Sequence, residues 1–168
     1  ICAICKEDGE ILEQISIPTT SPDETIPAII AYFKDKDIAA LGIACFGPID
    51  LHKSSPTYGY ITSTPKIKWQ NYPILPVIQK ALSVPCGFDT DVNGSLLGEV
   101  SYGASKGMEN AVYITIGTGV GAGVLSNGKL LHGMLHPELG HMAMVSHEND
   151  HFRGICPFHR NCLEGMAS

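Results

Sequence analysis

Three stretches of the chain carry side chains able to do chemistry. Cys156, His159 and Cys162 are spaced Cys-x-x-His-x-x-Cys, and His141, His147 and His151 lie just upstream to supply a fourth donor. Two thiolates with two imidazoles make a formally neutral tetrahedral set for Zn²⁺. Such an ion is structural in a loop with too few apolar residues to fold by itself. Spacing leaves open which histidine completes the set.

The second stretch is a glycine ladder, Gly117-Thr118-Gly119-Val120-Gly121-Ala122-Gly123. Gly117, Gly119 and Ala122 match the dinucleotide fingerprint Gly-x-Gly-x-x-Gly/Ala, but that fingerprint must open a helix. Here the glycines run into Val124-Leu125-Ser126-Asn127-Gly128, which reads as a hairpin. Without a Cβ, the main chain of such a turn can approach a phosphate and aim its N–H groups at it, with the Thr118 hydroxyl added. The third stretch, Asp89-Thr90-Asp91-Val92-Asn93, follows a short strand and precedes a helix. It therefore sits at a strand's carboxyl end, where open α/β sheets bind ligands. Either aspartate could also serve as a helix N-cap.

These residues need a scaffold, and composition bounds it. The chain has 168 residues, 44% of them hydrophobic, with 18 glycines, enough for a real core in one or two α/β units. A net charge of -6 with 11 Lys plus Arg argues against a nucleic-acid surface, which needs clustered cations. No apolar run reaches the roughly 20 residues of a membrane span, so a soluble, cytoplasmic protein is expected. Cys2, Cys5, Cys45 and Cys86 lie in apolar, strand-like runs and read as reduced, buried hydrophobes.

Along the chain, residues 1–5 and 11–17 around Asp8-Gly9 predict a β-hairpin. Ser21-Pro22-Asp23-Glu24 opens a helix with Ser21 as N-cap and Ile26, Ile29, Ile30 and Phe33 on one face. Residues 38–46 are almost continuously apolar, as a strand covered on both faces requires. Gly47-Pro48-Ile49-Asp50 ends it. Residues 51–71 read as a long surface loop, with Lys66 and Trp69 as a candidate substrate wall, although Trp69 could simply pack the loop down. A helix near 73–82, a strand at 86–88, a helix at 92–102, a strand at 111–116 and a hairpin over 122–131 complete the pattern. The expected boundary lies near 107–110, giving an α/β lobe over 1–109 and the start of a second lobe over 110–168. The chain begins inside a strand pattern and stops just inside a helix, as a fragment would.

The motifs in this order resemble the ROK family of bacterial sugar kinases and related repressors, and within it the fructokinase branch. The marks are Gly47-Pro48-Ile49-Asp50, Thr64-Pro65-Lys66, Asp89-Thr90-Asp91-Val92-Asn93-Gly94, Ile116-Gly117-Thr118-Gly119-Val120-Gly121, Glu138-Leu139-Gly140-His141 and Cys162-Leu163-Glu164-Gly165. The resemblance implies an actin-like ATPase (ribonuclease H-like) fold of two lobes, with a hexose and MgATP bound in the cleft between them, and a homodimer. Asp91 is implied as catalytic base, and Gly117, Thr118, Gly119 and Gly121 as a phosphate loop. Thr90, Glu138, His141 and Glu164 are implied as sugar contacts. It also assigns a structural Zn²⁺ to His141, Cys156, His159 and Cys162, shaping the sugar pocket.

Glucose-type members carry Asn-Asp at the base position and Cys-x-Cys-x4-Cys in the metal run. Thr90-Asp91 and Cys-x2-His-x2-Cys instead resemble the fructokinase branch, so phosphorylation of fructose to fructose 6-phosphate is the expected reaction, ahead of mannose, glucose or N-acetylmannosamine. The family's first phosphate loop would lie before Ile1 and its later nucleotide-binding helices after Ser168, so residues 1–168 alone are expected to be inactive. A sugar-sensing repressor of the same family would need an N-terminal helix-turn-helix and no Asp91. A zinc-stabilised scaffold would have no use for an intact glycine ladder.

Overall fold

The computed structural model describes residues 1–134 and 136–168. The chain divides into two compact units, Ile1–Thr90 and Asp91–Ser168.

The first unit opens with an antiparallel hairpin of β1 (Cys2–Cys5) and β2 (Ile11–Ile15). The register shifts at Ile4/Cys5, and Cys5 is exposed there rather than buried as its apolar run suggested. Helix α1 (Pro22–Lys34) follows, with Pro22 in its first turn, where a missing N–H costs nothing. Ser21 stands at the N-cap in extended conformation, but its side chain makes no capping hydrogen bond. A threonine pair secures the entry instead: the Thr20 N–H donates to Thr25 Oγ1 at 3.1 Å, and that hydroxyl donates to the Pro18 carbonyl at 3.1 Å. Ser21 is left to accept the Glu24 and Thr25 amides on its backbone carbonyl.

Strands β3 (Leu41–Cys45) and β4 (Cys86–Thr90) pair in parallel, with Cys45 opposite Thr90. Continuous hydrophobicity over 38–46 predicted burial on both faces, yet Gly42 and Ala44 are exposed while Leu41, Ile43 and Cys45 point into the packed side. Small residues on the outer face hid the alternation.

Helix α2 (Ile74–Leu82) packs against α1 and β4. The core gathers Ile26, Cys45, Ile49, Ile61, Trp69, Ile74 and Ile78. Three of these come from residues 47–73, so the long segment after β3 is part of the core. Ile61 bridges to both Ile49 and Tyr72, and the Trp69 indole, 2% exposed, donates Nε1–H to the Thr20 carbonyl at 3.2 Å. Asp50 closes the first turn of this segment. Its carboxylate accepts the Thr57 hydroxyl at 2.7 Å and the His52 amide at 2.9 Å. Hydrogen bonds from Ser55 and then Thr57 hold it below the usual carboxylate range.

In the second unit, helix α3 (Asp91–Ser101) packs on β5 (Ala111–Ile116) and β6 (Val120–Ser126), and β7 (Lys129–Leu130) completes an antiparallel sheet in the order β5-β6-β7. Leu96, Val120, Ala122 and Leu125 are buried. On β5, by contrast, Val112, Ile114 and Ile116 are 57%, 52% and 59% exposed. Helix α3 belongs with this sheet, and the two compact units meet between Thr90 and Asp91 in the chain. Residues 136–168 form a loop region closed by the one-turn helix α4 (Leu163–Ala167). No described helix is long and apolar enough to cross a membrane.

Candidate active site and metal-binding cluster

Asp91 is the first residue of α3, directly after β4 ends at Thr90. A carboxylate is favourable at a helix N-terminus, where backbone N–H groups lack partners. Its Oδ1 accepts the Val92 N–H at 2.9 Å, and its side chain is exposed. Asp89, two residues earlier, turns its Oδ1 onto the Thr90 amide at 2.8 Å. Thr90 is 5% exposed. Of the two aspartates, Asp91 is the one at the strand's carboxyl end. Lys66 and Trp69 separate in character: Trp69 packs edge-on against Phe46 and Tyr72, whereas the Lys66 ammonium lies 3.8 Å above the Phe46 ring.

The glycine ladder splits into a turn and a strand. Ile116 pairs with Val120, so Gly117-Thr118-Gly119 forms the turn, closed by the Gly117 N–H on the Gly119 carbonyl at 2.9 Å. Gly117 and Thr118 are exposed. A strand follows the turn, the arrangement a dinucleotide fingerprint excludes. Gly121 lies inside β6, where an added Cβ would sit 3.1 Å from Val92 Cγ1, so its smallness serves the packing of α3.

The cysteine-histidine segment folds around four donors. One ligand atom from each of His141, Cys156, His159 and Cys162 lies within 4.8 Å of the others. His141 Nδ1 is 3.8 Å from Cys156 Sγ and 3.7 Å from Cys162 Sγ. A tetrahedral zinc site, with Zn–S of about 2.3 Å and Zn–N of about 2.0–2.1 Å, requires donor separations of about 3.4–3.8 Å. The His141–thiol spacings therefore fit, and so does the chemistry of the set. Cys156 and Cys162 are 3% and 0% exposed. Backbone N–H groups, His159 first and then Phe158, lower the Cys156 thiol from its ordinary value and favour the ligating thiolate. His147 and His151 lie outside the cluster; His147 Nδ1 accepts the Asn149 amide instead, at 3.2 Å.

The donors are set by local structure. His141 ends a 3-10 turn, Leu139–His141, entered through Glu138 at φ 48° and ψ 40°. A left-handed glutamate is uncommon and is a kind of strain found at functional sites. Cys162 caps α4, its Sγ accepting the Gly165 N–H at 3.4 Å. Glu164, in the first turn of α4, accepts the Val120 N–H on Oε2 at 3.0 Å. Sequence reading did not anticipate this last bond, because its partners are 44 residues apart. Nor did it assign Asn93, 1% exposed, whose Nδ2 lies 3.3 Å from His132 Nε2 and links α3 to the segment after β7.

Gly140 is the local signal that was available. A Cβ built on it would collide with the Val120 carbonyl oxygen. Gly140→Ala is expected to destabilise the second unit by about 1–3 kcal/mol, the usual cost of overpacking. Chemical denaturation checks this, and an unchanged midpoint would mean that the loop yields freely.

The ROK family model matches residues 1–168. A fructokinase of Streptococcus mutans is 47% identical over 173 residues, covering 100% of this chain and 58% of its own length. A fructokinase of Lactococcus lactis is 46% identical over 169 residues, covering 100% of this chain and 57% of its own. The chain thus spans well under two thirds of these relatives. Among solved structures, a ROK glucokinase of Streptomyces griseus in complex with glucose and AMPPNP is 27% identical with a TM-score of 0.71, over 85% of this chain and 46% of that one. The fold is therefore the actin-like ATPase class.

Proposed function

This chain belongs to the ROK family, and on that premise we propose that the complete polypeptide is an ATP-dependent hexose kinase that phosphorylates D-fructose at its 6-hydroxyl. The fructokinase relatives matched over the whole chain support fructose over other hexoses. The observation that carries the reading as a kinase is Asp91, an exposed carboxylate that directly follows β4 and whose Oδ1 accepts the Val92 amide of its own helix.

In this mechanism Asp91 accepts the proton of the 6-hydroxyl as that oxygen attacks the γ-phosphorus. Phosphoryl transfer needs little covalent help from the protein, so positioning and charge neutralisation supply the rest. Thr90, Glu138, His141 and Glu164 hold the other sugar hydroxyls, fixing which one reaches Asp91. Gly117, Thr118 and Gly119 present backbone N–H groups and a hydroxyl to the phosphates, with Gly121 keeping that strand close to α3. Mg²⁺ accompanies ATP and neutralises its phosphate charge. His141, Cys156, His159 and Cys162 would hold Zn²⁺, which would serve structure by fixing the loop that carries Glu138, His141 and Glu164. A homodimer working in the cytoplasm completes the proposal.

ADP release by the complete polypeptide with MgATP, measured over fructose, mannose, glucose and N-acetylmannosamine, tests it. Fructose-selective turnover is expected. Absence of turnover with every sugar, in protein that retains its metal, would replace the kinase with a sugar sensor.

A further inference from the structure

Val120 is gripped at both ends of its peptide segment by residues adjoining metal ligands. Its N–H donates to Glu164 Oε2 at 3.0 Å, and Glu164 lies two residues after Cys162. Its carbonyl oxygen lies so close to the Gly140 Cα that no Cβ fits between them, and Gly140 immediately precedes His141. Val120 is also the first residue after the Gly117-Thr118-Gly119 turn and pairs with Ile116 across it. On the near side of the grip, a Cβ on Gly119 would lie 2.8 Å from the same Glu164 oxygen.

The two halves of the metal loop are also laced by backbone. Leu163 N–H donates to the Met142 carbonyl at 3.0 Å, Met144 N–H donates to the Asn161 carbonyl at 3.2 Å, and Ala143 bridges Cys162. A metal ion on His141, Cys156, His159 and Cys162 would tie those halves through bonds far stronger than these few hydrogen bonds.

We propose that the metal loop clamps the glycine turn through Val120, with Glu164 as the positioning residue, so that metal occupancy sets the affinity for nucleotide as well as for sugar. The affinity half of this rests on the reading of the turn as a phosphate loop. A carboxylate has two oxygens, and the one on Val120 leaves the other for a sugar hydroxyl, so both roles fit one side chain.

The test uses the complete polypeptide, zinc-loaded, without sugar. Amide hydrogen exchange is followed in the peptide covering the turn, and MgADP affinity by calorimetry, for the unmutated protein, Glu164→Ala and Glu164→Gln. With zinc retained, Glu164→Ala is expected to speed exchange at the turn and weaken MgADP about tenfold, the usual weight of a charge-assisted hydrogen bond. Glu164→Gln, whose amide oxygen still accepts, restores most of both. Chelation of the unmutated protein speeds exchange at the turn at least as much. Unaltered exchange in metal-loaded Glu164→Ala, or in the chelated protein, overturns the clamp. Faster exchange in a protein that binds no MgADP even when unmutated would keep the clamp and refute the phosphate reading of the turn.

Discussion

Asp91→Asn in the complete polypeptide is expected to lower kcat on fructose by about 10²–10⁴, the range of a lost general base, equivalent to about 3–5 kcal/mol of barrier. The fold should persist, because Asn Oδ1 can still accept the Val92 amide that Asp91 Oδ1 holds. The helix loses only the interaction of a negative charge with its N-terminus, worth about 0.3–1 kcal/mol. KM for fructose should change little, since the amide keeps the size and one acceptor of the carboxylate. Steady-state kinetics with a melting curve separate these effects. Near-normal turnover would remove Asp91 as base.

Replacing Cys156 or Cys162 with Ser is expected to have the largest effect on structure. Serine keeps the volume but is a poor zinc ligand, and a structural zinc contributes apparent binding energies of about 10–16 kcal/mol. The loop has little else to hold it. Val145, Ile155 and Phe158 are 98%, 63% and 79% exposed, so its apolar side chains do not form a core. Each variant should lose zinc on desalting and turn over fructose about 10–100-fold more slowly, the scale on which lost metal-site support lowers activity. His147→Ala, a change outside the cluster, should keep its zinc. Stoichiometric zinc in both cysteine variants, by elemental analysis, would refute the ligand set.

What could be read from residues alone was what local pattern records. The β1-β2 hairpin, helices α1 to α3 and the strands of the second unit follow from periodicity and turn residues. Cys156, His159 and Cys162 follow from spacing within one loop. His141 could not be chosen over His147 or His151 by spacing; the structure brings it into the cluster through the 3-10 turn that ends on it. The burial of β3 was overstated because Gly42 and Ala44 look apolar in sequence and are exposed. The capping of α1 passed from Ser21 to Thr20 and Thr25 because residues 18–20 fold back along the helix entry. That α3 packs on β5 and β6 is a contact no composition shift announces. The grip on Val120 was illegible because it joins residues far apart in the chain, with only the glycine in Glu138-Leu139-Gly140-His141 as its trace.

Strand β5 has a practical consequence. It is an outer strand of its sheet, runs Ala-Val-Tyr-Ile-Thr-Ile without a charge, and shows Val112, Ile114 and Ile116 to solvent. An uncharged, β-branched edge of six residues is a template for further strands and for aggregation. Residues 1–168 prepared alone are therefore a material whose colloidal behaviour is governed by this edge. Turbidity is expected to rise with concentration and with kosmotropic salt, which strengthens apolar association.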